Sequence, residues 1–123
     1  MKVETSTGDV ADRISILHLK SERIADEGAR AHILRELSAL LAAWEGAGLP
    51  PPGDLAAWPR LHEVNGRLWE VEDALRQQEA DEDFGPAFVA LARSVYRLND
   101  ERAALKRQIS EATGSALVEQ KSY

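Results

Sequence analysis

Apolar positions recur along most of this chain at spacings of three and four, the repeat of one helix face. Val10, Ile14, Leu17, Ser21 and Ile24 mark a first helix from about residue 8 to Asp26. Ser6 with Asp9 three positions on reads as a capping box with a shortened acid, and Asp9 and Asp12 suit the positive end of the helix dipole. Gly28 is expected to end this helix. Ile33, Leu37, Leu40 and Trp44, widened by Leu34 and Leu41, give a second helix over about 30–45. Residues 2–6 alternate loosely and are too short for an independent sheet, so they read as an extended lead-in.

The rhythm breaks at residues 46–54, GAGLPPPGD, where three prolines lack amide donors and three glycines disfavour helix. It resumes after Pro59, a residue suited to a helix start. Leu61, Val64, Leu68, Val71 and Leu75 form one seam. After the break at EADEDFGP a second seam follows, Phe88, Leu91, Val95, Leu98, Arg102, Leu105 and Ile109, with Gly114 as a left-handed cap. The short connection predicts antiparallel packing, with Leu75 opposite Leu91, Leu68 opposite Leu98, Val64 opposite Arg102, and Arg67 beside Glu101. The expected architecture is all-α. Two antiparallel helical hairpins, about 8–45 and 55–113, form a four-helix bundle-like domain, and the linker 46–54 joins them. An extended lead-in precedes the bundle and a tail, 114–123, follows it.

Composition narrows the setting. The 123 residues make one domain, 44% apolar and without cysteine, which excludes disulfides, thiolate metal sites and a cysteine nucleophile. No apolar run is long enough for a membrane span, and the N-terminus does not read as a signal peptide, so a cytoplasmic location is expected. A formal charge of −6 opposes nucleic-acid binding. Residues 54–84 carry nine acids against three bases, whereas residues 86–109 carry five bases against two acids. Opposite signs favour pairing of these two helices.

One residue is out of place in the seam. Arg102 stands where an apolar side chain belongs, and a buried guanidinium without an acceptor is costly. It must snorkel to water, pair with a carboxylate of the first helix (Asp12 or Glu22), or grip an anion. Beside the seam lies a mixed stripe of His62, Asn65, Trp69, Glu72, Arg76, Tyr96 and Asn99, with Gly66 inside it permitting close backbone approach. This stripe is either the face packed on the first hairpin, with Trp69 and Tyr96 as core aromatics, or a polar pocket. In the second case Arg13, Asn65, Glu72, Tyr96, Asn99 and Arg102 are the candidate ligand-binding residues. His18, His32 and His62 have no metal-ligand spacing, so neither a metal site nor a cofactor is expected. Glu70 and Asp73 form an E-x-x-D of the kind magnesium-dependent nucleotide pyrophosphohydrolases use. The acidic cluster those enzymes need on the preceding helix is missing, with only Glu36 and Glu45 there.

Three stretches carry a resemblance: GDVADRISILHLKSERI at 8–24, LWEVEDALR at 68–76, and ARSVYRLNDERAALKRQI with GSALVEQKSY at 92–109 and 114–123. They resemble a bacterial family of unknown function, which implies a small all-helical protein and transfers no activity. The first helix also resembles the opening helix of chorismate mutases, with Arg13 in the place of an early arginine, although Gly28 falls where that longer helix would continue. The expected function is a non-catalytic helical interaction or self-association module that binds a protein partner or a second copy as a dimer. The alternative is a small enzyme or binder of an anionic metabolite, such as a chorismate-mutase-like isomerase, and behind it a magnesium-dependent pyrophosphohydrolase.

Overall fold

The computed structural model describes residues 2–114 and 116–120, with side chains described for 5–114. Parts of the closing stretch, residue 115 and residues 121–123, lie outside the described residues. The element order is β1 (Lys2–Ser6), α1 (Thr7–Arg23), α2 (Glu27–Gly46), a 3-10 turn (Pro52–Asp54), α3 (Trp58–Ala80), α4 (Pro86–Thr113) and β2 (Ala116–Gln120). The four helices form a small bundle. To it is added a two-stranded antiparallel ribbon, with Lys2 opposite Gln120 and Ser6 opposite Ala116. The lead-in is therefore extended, as expected, and the tail supplies the partner strand that the local pattern of residues 2–6 could not reveal.

Helix α1 starts where the capping residues direct it: Ser6 Oγ accepts from the Asp9 amide at 3.1 Å and donates to Asp9 Oδ2 at 2.8 Å. It ends earlier than expected. Ile24 is already extended, and Asp26 caps α2, its Oδ2 accepting from the Ala29 amide at 2.8 Å. Gly28 thus sits in the first turn of α2 and terminates nothing. A side-chain cap fixes a helix start more firmly than a glycine fixes an end, and a first turn tolerates glycine. Arg30 Nε donates to the Ser21 carbonyl at 2.8 Å, so α2 also satisfies the end of α1.

The linker folds back on its own hairpin. Gly48 takes the left-handed conformation at φ 77°, and Trp44 Nε1 donates to the Pro50 carbonyl at 2.6 Å. This bond satisfies the indole of a side chain that is only 1% exposed.

The first helix is the centre of the molecule. It runs antiparallel to α2, with Arg13 paired to Glu36, and antiparallel to α4, where the Gly8 amide donates to Ser110 Oγ at 2.9 Å and Lys106 meets Asp9 at 2.7 Å. It crosses α3, where Ser15 meets His62, Asp12 lies beside Asn65 and Arg23 is 3.9 Å from Glu70. Contact on three sides buries it almost all round. Val10, Ala11, Ile14, Ser15 and Leu17 are each 1% exposed or less. The four apolar ones join Leu40 and Trp44 of α2, Leu61, Val64 and Leu68 of α3, and Leu98, Leu105 and Ile109 of α4 in one core.

Helices α3 and α4 pack together, with Leu61, Val64, Leu68, Leu98, Leu105 and Ile109 in the common core, but their flanking ion pair differs from the expected one. Glu101 takes Arg60, with Nη2 donating to Oε1 at 2.7 Å, rather than Arg67 two turns further along. The bonded guanidinium of Arg60 is the main reason the Glu101 carboxyl titrates below its ordinary range, with Arg67 adding a smaller charge effect. Beyond Glu70, α1 has ended, and no residue from Val71 to Arg97 is fully buried. This stretch is a two-helix arm without a third layer. Its α3 half, residues 71–80, is about 15 Å long at the helical rise.

Candidate functional site

The interior holds a connected run of polar side chains where α1, α3 and α4 meet. Arg102 donates to buried Asp12 through both Nε, at 2.8 Å to Oδ1, and Nη2, to Oδ2. Asn65 Nδ2 donates to the same Oδ1 at 3.0 Å and to Ser15 Oγ at 3.1 Å. Ser15 Oγ lies 2.8 Å from His62 Nδ1. Five residues from three helices thus form a chain from Arg102 to His62. The bidentate Asp12 pair is the main cause that raises the Arg102 pKa, against the opposing effect of burial. Burial is the main cause that lowers the His62 pKa, so its imidazole is held neutral. Ser15 accepts from Asn65 and can then donate to the bare Nδ1.

The misfit in the seam is therefore resolved by a carboxylate of α1, one of the outcomes the sequence left open. Breaking such a pair by removing one partner costs about 3–5 kcal/mol where the survivor stays buried, and Asp12 is 4% exposed. Ser15 beside His62 has the composition of a nucleophile–base pair, but at 0% exposure the hydroxyl is out of reach of any substrate. Its role is to satisfy its neighbours.

At the outer edge of this network opens a cleft of about 330 Å³ between α1, α3 and α4. Four of the six candidate residues line it: Asn65, Glu72, Asn99 and Arg102. The other two do not. Arg13 lies on the opposite side of α1, where Nε donates to Glu36 Oε1 at 3.1 Å. Tyr96 is 74% exposed on the arm, so it is neither a cleft residue nor a core aromatic. Both departures have one cause: α1 is central, so its successive faces meet different helices, and it stops before it could cover Tyr96. Trp69 is half-buried at the cleft, with the Arg23 guanidinium 5.6 Å from its ring centroid. Gly66 does not mediate a close approach, because a Cβ there would lie an ordinary 3.8 Å from Arg23 Nη2.

Several residues of the site went unread in the sequence. Ser15, Ile16, Leu19 and Lys20 of α1 shape the network or the cleft. The signal available was the spacing of Asp12, Ser15 and Leu19, a second helical face that mixes polar and apolar residues beside the Val10–Ile14–Leu17 face. The cleft lining carries Lys20, Arg76, Arg102 and Glu72; Arg102 is paired with Asp12 and Arg76 with Glu72 and Asp73, which leaves Lys20 as the lining charge without an ion pair among the described residues. Lys20 can therefore attract an anion to the cleft in a protein that is acidic as a whole. Among the described residues no group of three His, Asp or Glu side chains is placed to hold a metal ion, and Glu70 and Asp73 lean instead on Arg23 and Arg76. Among the same residues no helix is long and apolar enough to cross a membrane.

No curated protein and no solved structure matches the chain. The model of one family does, over residues 1–123: the chain belongs to the family of unknown function DUF6165.

Proposed function

We propose that this protein is a non-catalytic helical interaction module that self-associates through the arm of α3 and α4. The observation that carries the reading is the arm itself. Over residues 71–97 the seam of Val71, Leu75, Leu91 and Val95 is only half-buried, and Phe84, Val89 and Tyr96 are 53%, 50% and 74% exposed. A two-helix layer cannot bury such a seam alone, and a third and fourth helix would.

The occupant we favour is a second copy of the chain. Residues 71–83 carry six acids against one base, while residues 86–97 carry Arg93 and Arg97 and no acid. Neither arginine forms an ion pair among the described residues, and the arm's ion pairs, Arg76 with Glu72 and Asp73, lie within α3. The charge complementarity between the two helices is thus unused within one chain. A two-fold axis places the acidic helix of one arm against the basic helix of the other, twice.

Sedimentation and light scattering test this. The expected result is twice the 13.6 kDa chain mass. Both higher salt and the double variant Arg93→Glu, Arg97→Glu should weaken the assembly, since exposed charges are screened beyond about 8 Å at physiological ionic strength. A clean monomer at high micromolar concentration refutes the proposal. So does a dimer indifferent to the charge reversal.

A further inference from the structure

The carboxylate of Asp12 holds two neighbours so that each keeps one free edge. Oδ1 accepts from Arg102 Nε at 2.8 Å and from Asn65 Nδ2 at 3.0 Å, and Oδ2 accepts from Arg102 Nη2. Arg102 Nη1 and Asn65 Oδ1 have no hydrogen-bond partner among the described residues. The orientation of the amide follows from chemistry: a carboxylate only accepts, so the nitrogen faces Asp12 and the oxygen faces away. Asn65 is 5% exposed, yet it lines the cleft, and Arg102 lines it too. An acceptor and a charged donor at the cleft are thus both held by one anchored carboxylate. Neither has to reorder to receive a ligand.

The complement of this pair is an anionic group with a hydrogen-bond donor beside it. The donor is better neutral than charged, because Arg76 and Arg102 already have carboxylate partners and the lining charge without one among the described residues is the cation Lys20. Lys20 makes no ion pair among the described residues, which leaves a second cation for a second anionic group. Glu72 opposes an anion, but Arg76 at 3.9 Å offsets it. Ile16, Leu19 and Trp69 supply an apolar wall, and about 330 Å³ is at the small end of ligand sites. We infer that the cleft binds a small 2-hydroxy dicarboxylate. One carboxylate lies on Arg102 Nη1, the adjacent hydroxyl donates to Asn65 Oδ1, and the second carboxylate lies toward Lys20. The ligand contacts Lys20, Asn65 and Arg102 lie outside residues 71–97, so this proposal stands or falls separately from self-association.

The test is an NMR titration of the full chain with L-malate, succinate and inorganic phosphate. Malate should give saturable shifts at the side-chain amides of Asn65 and Asn99 and at the Trp69 indole, with a dissociation constant of about 1 mM or below. Succinate has the same charge but lacks the hydroxyl, and should bind severalfold more weakly, because it forgoes the hydrogen bond to Asn65 Oδ1. Lys20→Gln does not touch the Asp12 network, so it should keep the folded spectrum and weaken malate severalfold. The proposal is overturned if malate gives no saturable shift, if its shifts map away from the cleft, if succinate binds as well as malate, or if phosphate binds more tightly.

Discussion

Gly8 is the residue where the packing of α1 on α4 is tightest. A Cβ placed there would lie 2.0 Å from the Lys106 carbonyl oxygen and 2.8 Å from Ser110 Oγ, and the first of these is backbone that cannot rotate away. Gly8→Ala should therefore destabilise by about 1–3 kcal/mol or more, as overpacking does, and a urea denaturation midpoint measures it. A neutral result would mean that α1 and α4 are not in van der Waals contact at this point. His62 makes a second residue-scale prediction. Its folded pKa is lowered below the ordinary 6.5, chiefly by burial. The charges of His18 and Arg23 push the same way, and Glu22 opposes them. The unfolded chain then binds the proton more readily than the folded one, so stability is fully present above about 6.5 and is lost as pH falls from there through the folded pKa. Wild type should lose more stability than His62→Gln between pH 7.5 and pH 5.5, and equal losses would show that burial does not lower the His62 pKa.

At the scale of elements, residues next to the helix set the starts of α1 and α2 and the end of α4, whereas side chains reaching from further along complete the end of α1 and the linker. Ser6 and Asp26 cap α1 and α2 by bonds within four residues, and Gly114 at φ 65° closes α4. The ends of α1 and of the linker depend instead on Arg30 reaching Ser21 and Trp44 reaching Pro50. Helix α3 offers a clean test of propensity against packing. A Cβ at Gly66 meets only ordinary contacts at 3.8 Å and 4.0 Å, so nothing in the structure requires glycine there. Gly66→Ala should raise stability by about 0.5–1 kcal/mol through the lower entropy of the unfolded chain and better helix propensity. Thermal unfolding checks it, and a loss of stability would mean that the backbones of α1 and α3 approach more closely there than these distances indicate.

The whole molecule divides into a packed base and an arm. The base holds every fully buried side chain among the described residues, because only there does α1 add a third layer. The arm has the same heptad rhythm and the same side-chain types, yet stays half-exposed. If two copies pair through it, dimerisation adds stability by mass action. The melting temperature of the wild type should then rise with protein concentration, while that of the Arg93→Glu, Arg97→Glu variant should not. Calorimetry over a hundredfold concentration range distinguishes the two.

The sequence by itself determined the helices, their antiparallel seam from Leu61–Leu68 to Leu98–Ile109, the proline-rich break, and the need of Arg102 for an acceptor. These follow from periodicity, capping and desolvation, which act over a few residues or on a single charge. It also narrowed that acceptor to a few groups, Asp12 among them, because the first helix carries few acids near the apolar face. Only the tertiary structure decided that α1 lies at the centre, that Arg13 and Tyr96 leave the site while Ser15 and Lys20 enter it, and that the two termini meet in a ribbon. Each of these depends on which helices surround a given face, or on pairing across more than a hundred residues, and helical periodicity reports only that a face is buried, not what buries it.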